Sequence, residues 1–112
     1  MNAVKIKKSK DYYSVFTNGK KISSKNFNLQ YLDSKTGYIR VGITASKKLG
    51  NSVSRNFVKR RIRSLVQKVF SKTYVSVKDY VIVAKKGILS ERFDSLHEEL
   101  KVLLKKIEKK NE

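Results

Sequence analysis

The chain has no cysteine, which excludes disulfides, a thiolate nucleophile and any Cys-based zinc site. Its one histidine, His97, sits beside Glu98 and Glu99 on a predicted helix and is expected at the surface. One imidazole cannot assemble a His-rich metal site or a conventional Ser-His-Asp triad. Proline is absent, and there is no glycine-rich phosphate loop of the dinucleotide or Walker type. No stretch approaches the ~20 apolar residues of a membrane span, and the N-terminus lacks a signal-type apolar core. Negative charge is scarce as well: nine Asp and Glu stand against 27 Lys and Arg, and no carboxylate occurs between Asp33 and Asp79. Little is left for protein-borne catalysis, and no catalytic or metal-ligating residue is predicted.

What remains is positive charge on a foldable chain. The formal charge of +18 is costly to a compact state through self-repulsion and tolerable when a bound polyanion neutralises it. A hydrophobic content of 39% with 10% aromatics excludes a disordered basic tail. The 112 residues fit one domain, 1–112, with ends expected to fray over about 1–7 and 108–112. The segment Arg55-Asn56-Phe57-Val58-Lys59-Arg60-Arg61-Ile62-Arg63 packs five cations into nine residues without an acid. Charge concentrated in this way suits a nucleic acid.

Periodicity predicts an α+β domain, a small sheet packed with helices in the order α-β-β-β-α-β-α. Ser9 is placed to cap a helix running to about Thr17, with Gly19 beyond its end. A short extended segment follows near Lys21–Ser24. Residues 26–32 alternate, Phe27, Leu29 and Tyr31 against Asn28 and Gln30. Asp33-Ser34-Lys35-Thr36-Gly37 reads as a hairpin connection to a strand over about 38–45. Helical spacing of Val58, Ile62, Leu65, Val66 and Val69 predicts a helix over 52–71. Asp79 to Ala84 is apolar enough for burial on both faces. A last helix starts near Ser90 or Glu91 and buries Phe93, Leu96, Leu100, Leu103, Leu104 and Ile107. The helices are expected on one side of the sheet, and the strands flanking the 52–71 helix should be parallel.

Three surfaces stand out. At about 100° per residue, Asn56, Arg60 and Arg63 cluster opposite the buried stripe with Lys59 at their edge, a spacing that follows successive phosphates or 2′-hydroxyls. Phe57 lies among these cations, either stacking on a base or packing under the neighbouring loop. On the sheet face opposite Phe27 and Leu29 lie Asn28, Gln30, Arg40 and Thr44, with Gly42 leaving room for close approach. Tyr12 and Phe16 either belong to the core of their short helix or flank a polar groove on that face, where an unpaired strand would find stacking platforms.

Ser46-Lys47-Lys48-Leu49-Gly50-Asn51-Ser52-Val53-Ser54-Arg55-Asn56, continued by Lys59-Arg60-Arg61-Ile62-Arg63, closely resembles the signature of the bacterial ribonuclease P protein subunit. That signature has an S-K-K-x-G-N-A-V-x-R-N loop and helix start followed by K-R-x-x-R. Val15-Phe16-Thr17-Asn18-Gly19, Arg40-Val41-Gly42-Ile43 and Asp79-Tyr80-Val81-Ile82-Val83-Ala84-Lys85 resemble further stretches of the family in the same order.

The resemblance implies a small subunit bound to a large catalytic RNA, the two together removing the 5′ leader of precursor tRNA. It implies that the RNA carries the catalysis and holds the Mg2+ ions. It also implies a cytoplasmic ribonucleoprotein, off the membrane and needing no protein partner. By matched position, Lys47, Lys48, Arg55, Asn56, Lys59, Arg60 and Arg63 would contact the catalytic RNA. Tyr12, Phe16, Asn28 and Gln30 would line a leader cleft. The general rule for a βαβ unit is a right-handed crossover, whereas the resemblance implies a left-handed one in a ribosomal protein S5 domain 2-like fold. Two departures stand out: Phe57 fills a position that is usually arginine, and Gln30 one that is often aromatic. A small basic ribosomal protein would carry the same charge without the leader cleft. A self-sufficient protein nuclease would need catalytic residues that the sequence does not supply.

Overall fold

The computed structural model describes residues 3–110. The strand Lys78–Ala84 (β5) is almost wholly buried, and its position follows from that. A strand apolar on both faces is stable only where neighbours flank it and both faces are covered. It lies at the centre of a five-stranded sheet of order β1-β4-β5-β3-β2, with β1 at Val4–Lys5, β2 at Lys20–Ser23, β3 at Phe27–Asp33 and β4 at Arg40–Thr44. The helices are α1 (Ser9–Asn18), α2 (Ser52–Lys72) and α3 (Phe93–Lys110).

This order corrects the hairpin reading of residues 33–37. β3 and β4 do not pair with each other; β5 lies between them, antiparallel to β3 and parallel to β4. The connection is a hairpin in composition only, because the apolar strand that belongs between its arms comes 45 residues after Asp33, at Lys78. The antiparallel hairpin is β2–β3, with Ile22 opposite Leu29. As expected, β4 and β5, the strands flanking α2, are parallel.

The N-terminal segment is more ordered than expected. Val4 and Lys5 pair in parallel with Arg40 and Val41, and Ile6 is only 1% exposed. At the other end α3 continues to Lys110; the expected fraying of 1–2 and 111–112 lies outside the described residues. Ser9 is the first helical residue of α1 and not its cap; Lys8 holds that position without a side-chain cap bond. The last helix begins at Phe93, two to three residues later than predicted, after a 3-10 turn at Lys86–Leu89.

The helices occupy both faces of the sheet. α2 and α3 cover the face bearing Phe27, Leu29, Val41, Tyr80 and Ile82, and their stripes of Val58, Ile62, Leu65, Leu96, Leu100 and Leu104 close the main core. Each such side chain contributes about 1.5–3 kcal/mol on full burial. α1 packs on the opposite face, where Val15 meets Ile6 and Val81 with Tyr12, Leu32 and Val83 around them. A one-sided arrangement would have left Val81, which is 2% exposed, facing water.

Polar ties fix the elements. Arg40 donates from Nε and Nη2 to both Asp79 oxygens at 2.9 and 2.6 Å and from Nη1 to Asp11 at 3.2 Å, joining β4, β5 and α1. The paired carboxylates push the guanidinium pKa well up, so Arg40 stays charged. Glu99 of α3 accepts from the buried Asn26 backbone at 2.7 Å, holding the β2–β3 turn.

Candidate nucleic-acid interface

A 3-10 turn at Lys47–Leu49 carries the basic loop into α2. Leu49, 3% exposed, anchors it in the core, while Lys47 and Lys48 project into solvent. Gly50 has φ +114°, a conformation side-chain-bearing residues rarely adopt, and it turns the chain toward the helix. Asn51 caps α2 by accepting from the Ser54 N–H at 3.0 Å.

Along the outer face of α2, Asn56, Lys59, Arg60 and Arg63 line one shallow concavity of about 460 Å³ together with Val53. These are four of the predicted RNA-contacting residues. No acid lies in the first turn of the helix, and Lys59, Arg60 and Arg63 take part in none of the ion pairs among the described residues. Arg55 stands apart. It is partly buried, does not line this concavity, and has Nη2 3.5 Å from the exposed Ser52 Oγ. Its turn around the helix, about 100° from Asn56, accounts for the separation.

Phe57 is 42% exposed and carries the Arg61 guanidinium 5.9 Å from its ring centroid. Arg61 also donates to the Glu91 carbonyl before α3. The ring therefore supports a cation that ties α2 to the approach of α3, and Arg61 does not replace the missing motif arginine at the surface. Phe57→Arg should place two like charges together and lose the cation–π contact. A loss of about 0.5–1 kcal/mol is expected, read as a lower urea midpoint with the slope unchanged.

On the opposite sheet face Tyr12 packs closely against Gly42: a Cβ there would meet its Cε1 at 2.4 Å. Its hydroxyl donates to the Ile6 carbonyl at 3.2 Å. Phe16, one turn along α1, is 68% exposed. Tyr12 is thus part of a small core and a wall at once, while Phe16 is a free platform. Asn28 and Gln30 point from β3 to the same face, opposite Val83 and Val81 of β5. Asn28 Oδ1 is buried with no hydrogen-bond partner among the described residues, an atom that gains by meeting a donor.

A groove of about 660 Å³ has both α2 residues and Tyr12 in its walls, while Phe16, Asn28 and Gln30 lie outside its lining. It opens where β1 ends and the edge of β4 beyond Val41 is uncovered, and Tyr12, Ile43, Lys59, Arg63 and Gln67 are among its walls. Lys59 and Arg63 belong to both concavities. Neither the groove nor Gln67 was predicted. A short N-terminal strand that leaves its neighbour's edge open has no periodic signal in sequence.

Residues 1–108 match the family model described as Ribonuclease P. The chain belongs to the ribonuclease P protein family. The "Ribonuclease P protein component" of Streptococcus agalactiae serotype III is 37% identical over 101 residues, covering 90% of this chain and 91% of that protein. The structure of the Staphylococcus aureus RNase P protein is 29% identical, with a TM-score of 0.79 over 96% of this chain and 97% of that one. The Thermotoga maritima RNase P protein, 24% identical, shares the fold at a TM-score of 0.80 over 91% and 96% of the two chains. As a ribonuclease P protein component, the chain is a subunit in tRNA processing. No helix among its described residues is long and apolar enough to cross a membrane.

The α2 concavity gives this ribonuclease P family member its clearest electrostatic test. Arg60→Ala with Arg63→Ala should weaken binding to a ribonuclease P RNA and reduce the log–log salt slope by roughly 0.7–0.9 per lost phosphate contact. Adding Arg55→Ala should change the slope less than either of the others, because Arg55 does not line that concavity. A folded double variant with unchanged affinity and slope would remove this face from the interface.

Proposed function

We propose that this chain binds the catalytic RNA of ribonuclease P through Lys47, Lys48, Asn56, Lys59, Arg60 and Arg63, with Arg55 in a secondary role. It holds the 5′ leader of precursor tRNA against Tyr12, Phe16, Asn28 and Gln30. The holoenzyme then hydrolyses one phosphodiester bond to give the mature tRNA 5′ end. The observation that carries this reading is the continuity of the α2 concavity with the Tyr12 groove through Lys59 and Arg63. One cationic surface can thereby serve a folded RNA on α2 and an unpaired strand around the sheet edge, a pairing that a ribosomal protein would not need.

Catalysis belongs to the RNA in this reading. The Mg2+ ions are assigned to the RNA, as the family resemblance implies, and no step to a protein-bound metal. The protein's share is positioning: cations lower the cost of bringing two polyanions together, and aromatic faces fix the strand. The complex works in the cytoplasm and needs no further protein.

Reconstitution tests this directly. With a bacterial ribonuclease P RNA and a precursor tRNA, adding the protein should restore leader removal at magnesium concentrations too low for the RNA alone. The protein freed of RNA should cleave nothing. Failure to stimulate, with co-purifying ribosomal RNA in place of one RNA of ribonuclease P type, would favour the ribosomal alternative.

A further inference from the structure

Beyond the α2 face and the leader cleft lies a third concavity, of about 410 Å³, at the β1–α1 junction. Lys5, Lys7, Lys8 and Lys10 line it, with Tyr38 and Arg40 at its wall. Asp11 is the one acid present, and its carboxylate already accepts from Arg40 at 3.2 Å. Arg40 is itself spent on Asp79 and Asp11. That leaves four ammonium groups within six residues, none in an ion pair among the described residues. Such crowding is unfavourable to the free protein and is relieved by a docked polyanion. Tyr38, 48% exposed, offers a ring beside them.

The position of this cluster gives it meaning. Its concavity shares Val4 and Lys5 with the β4-edge groove, and that groove shares Lys59 and Arg63 with the α2 concavity. The three concavities are neighbours in series around the β1–β4 edge, cationic at both ends, with Tyr12 lining the middle one. The N-terminus of the ten-residue α1 opens at the far end, where Lys8 provides no side-chain cap, so backbone N–H groups of the first turn add to the field.

We propose that the β1–α1 junction is a further RNA-phosphate site, in which Lys5, Lys7, Lys8 and Lys10 hold backbone phosphates of a strand that has passed Tyr12. The proposal rests on the function given above. The strand is either the distal part of the leader or a segment of the catalytic RNA; phosphate recognition is the same for both.

The test compares Lys7/Lys8/Lys10→Ala with Lys105/Lys106/Lys109→Ala, which removes equal charge from exposed positions of α3. Circular dichroism and urea melts establish that both are folded. One arm measures binding to ribonuclease P RNA alone as a function of salt. The other measures holoenzyme affinity for precursors with a graded series of leader lengths. A fall in the first slope by about 0.7 per lost contact identifies the catalytic RNA as the occupant. Loss of the affinity gained by lengthening the leader, with the first slope unchanged, identifies the leader. If the junction variant matches the α3 variant in both arms, the site is overturned while the function reading stands. If the unmodified protein binds neither RNA, both fall together.

Discussion

Arg40→Met is expected to destabilise the domain by about 3–5 kcal/mol, the cost of leaving a buried carboxylate unpaired. The Asp79 side chain is 6% exposed, and both its oxygens accept from Arg40. Methionine fills much of the volume and supplies no donor. In urea the midpoint should fall by at least ~1 M for a slope of about 1–3 kcal/mol/M. Arg40→Lys should lie between, since an ammonium keeps the charge and loses the two-pronged fit. Arg40→Met with Asp79→Leu should recover most of the loss, because an apolar pair replaces two desolvated charges. A single variant as stable as the wild type would mean that Asp79 finds water or another donor. Because the same guanidinium reaches Asp11, weakening it also frees one end of α1, and with it the wall formed by Tyr12.

The second large effect concerns affinity. Phe16→Ala and Tyr12→Ala should each reduce binding of precursor tRNA while leaving mature tRNA nearly unaffected, the outcome required by the proposal that the cleft holds only the leader. Stacking is worth about 1–3 kcal/mol per base, roughly five- to a hundred-fold. Phe16→Ala is the cleaner variant: the ring is 68% exposed, so little packing is lost. Tyr12→Ala also removes the ring seated on Gly42 and should cost stability. Gly42→Val reaches the same seat from below, where even a Cβ would meet Tyr12 Cε1 at 2.4 Å. It should displace the ring and reproduce the Tyr12→Ala ratio. The reading is the ratio of precursor to mature affinities in the reconstituted holoenzyme, and a ratio intact in all three folded variants would exclude the cleft.

Sequence disclosed some of this architecture and concealed the rest for identifiable reasons. The α2 stripe was legible because Val58, Ile62, Leu65 and Val69 repeat at helical spacing, and all four are buried. The two faces of β3 and β4 were legible from alternation, including the amides at Asn28 and Gln30. The parallel run of β4 and β5 was legible from the strand–helix–strand order, but the partner of β3 was not, since local turn chemistry at residues 33–37 says nothing of a strand arriving from residue 78 onward. Two-residue β1 is too short to show a period. At the site, the residue types on α2 were read from charge, and charge alone did not separate Arg55, which lies about 100° around the helix from Asn56 and outside the concavity. The engagement of Arg61 with Phe57 and Glu91 depends on a contact across 30 residues.

The central place of β5 also fixes an order of events during synthesis. Until residues 78–84 have left the ribosome, the chain can form only two separate pairs, β1 with β4 and β2 with β3. α2 is by then already translated, and its apolar stripe has no completed sheet to cover. Contacts so distant in sequence are intrinsically slow to form. The nascent chain therefore spends that interval as a cationic, half-assembled segment beside ribosomal RNA, and the arrival of one apolar strand closes the sheet and buries the stripe.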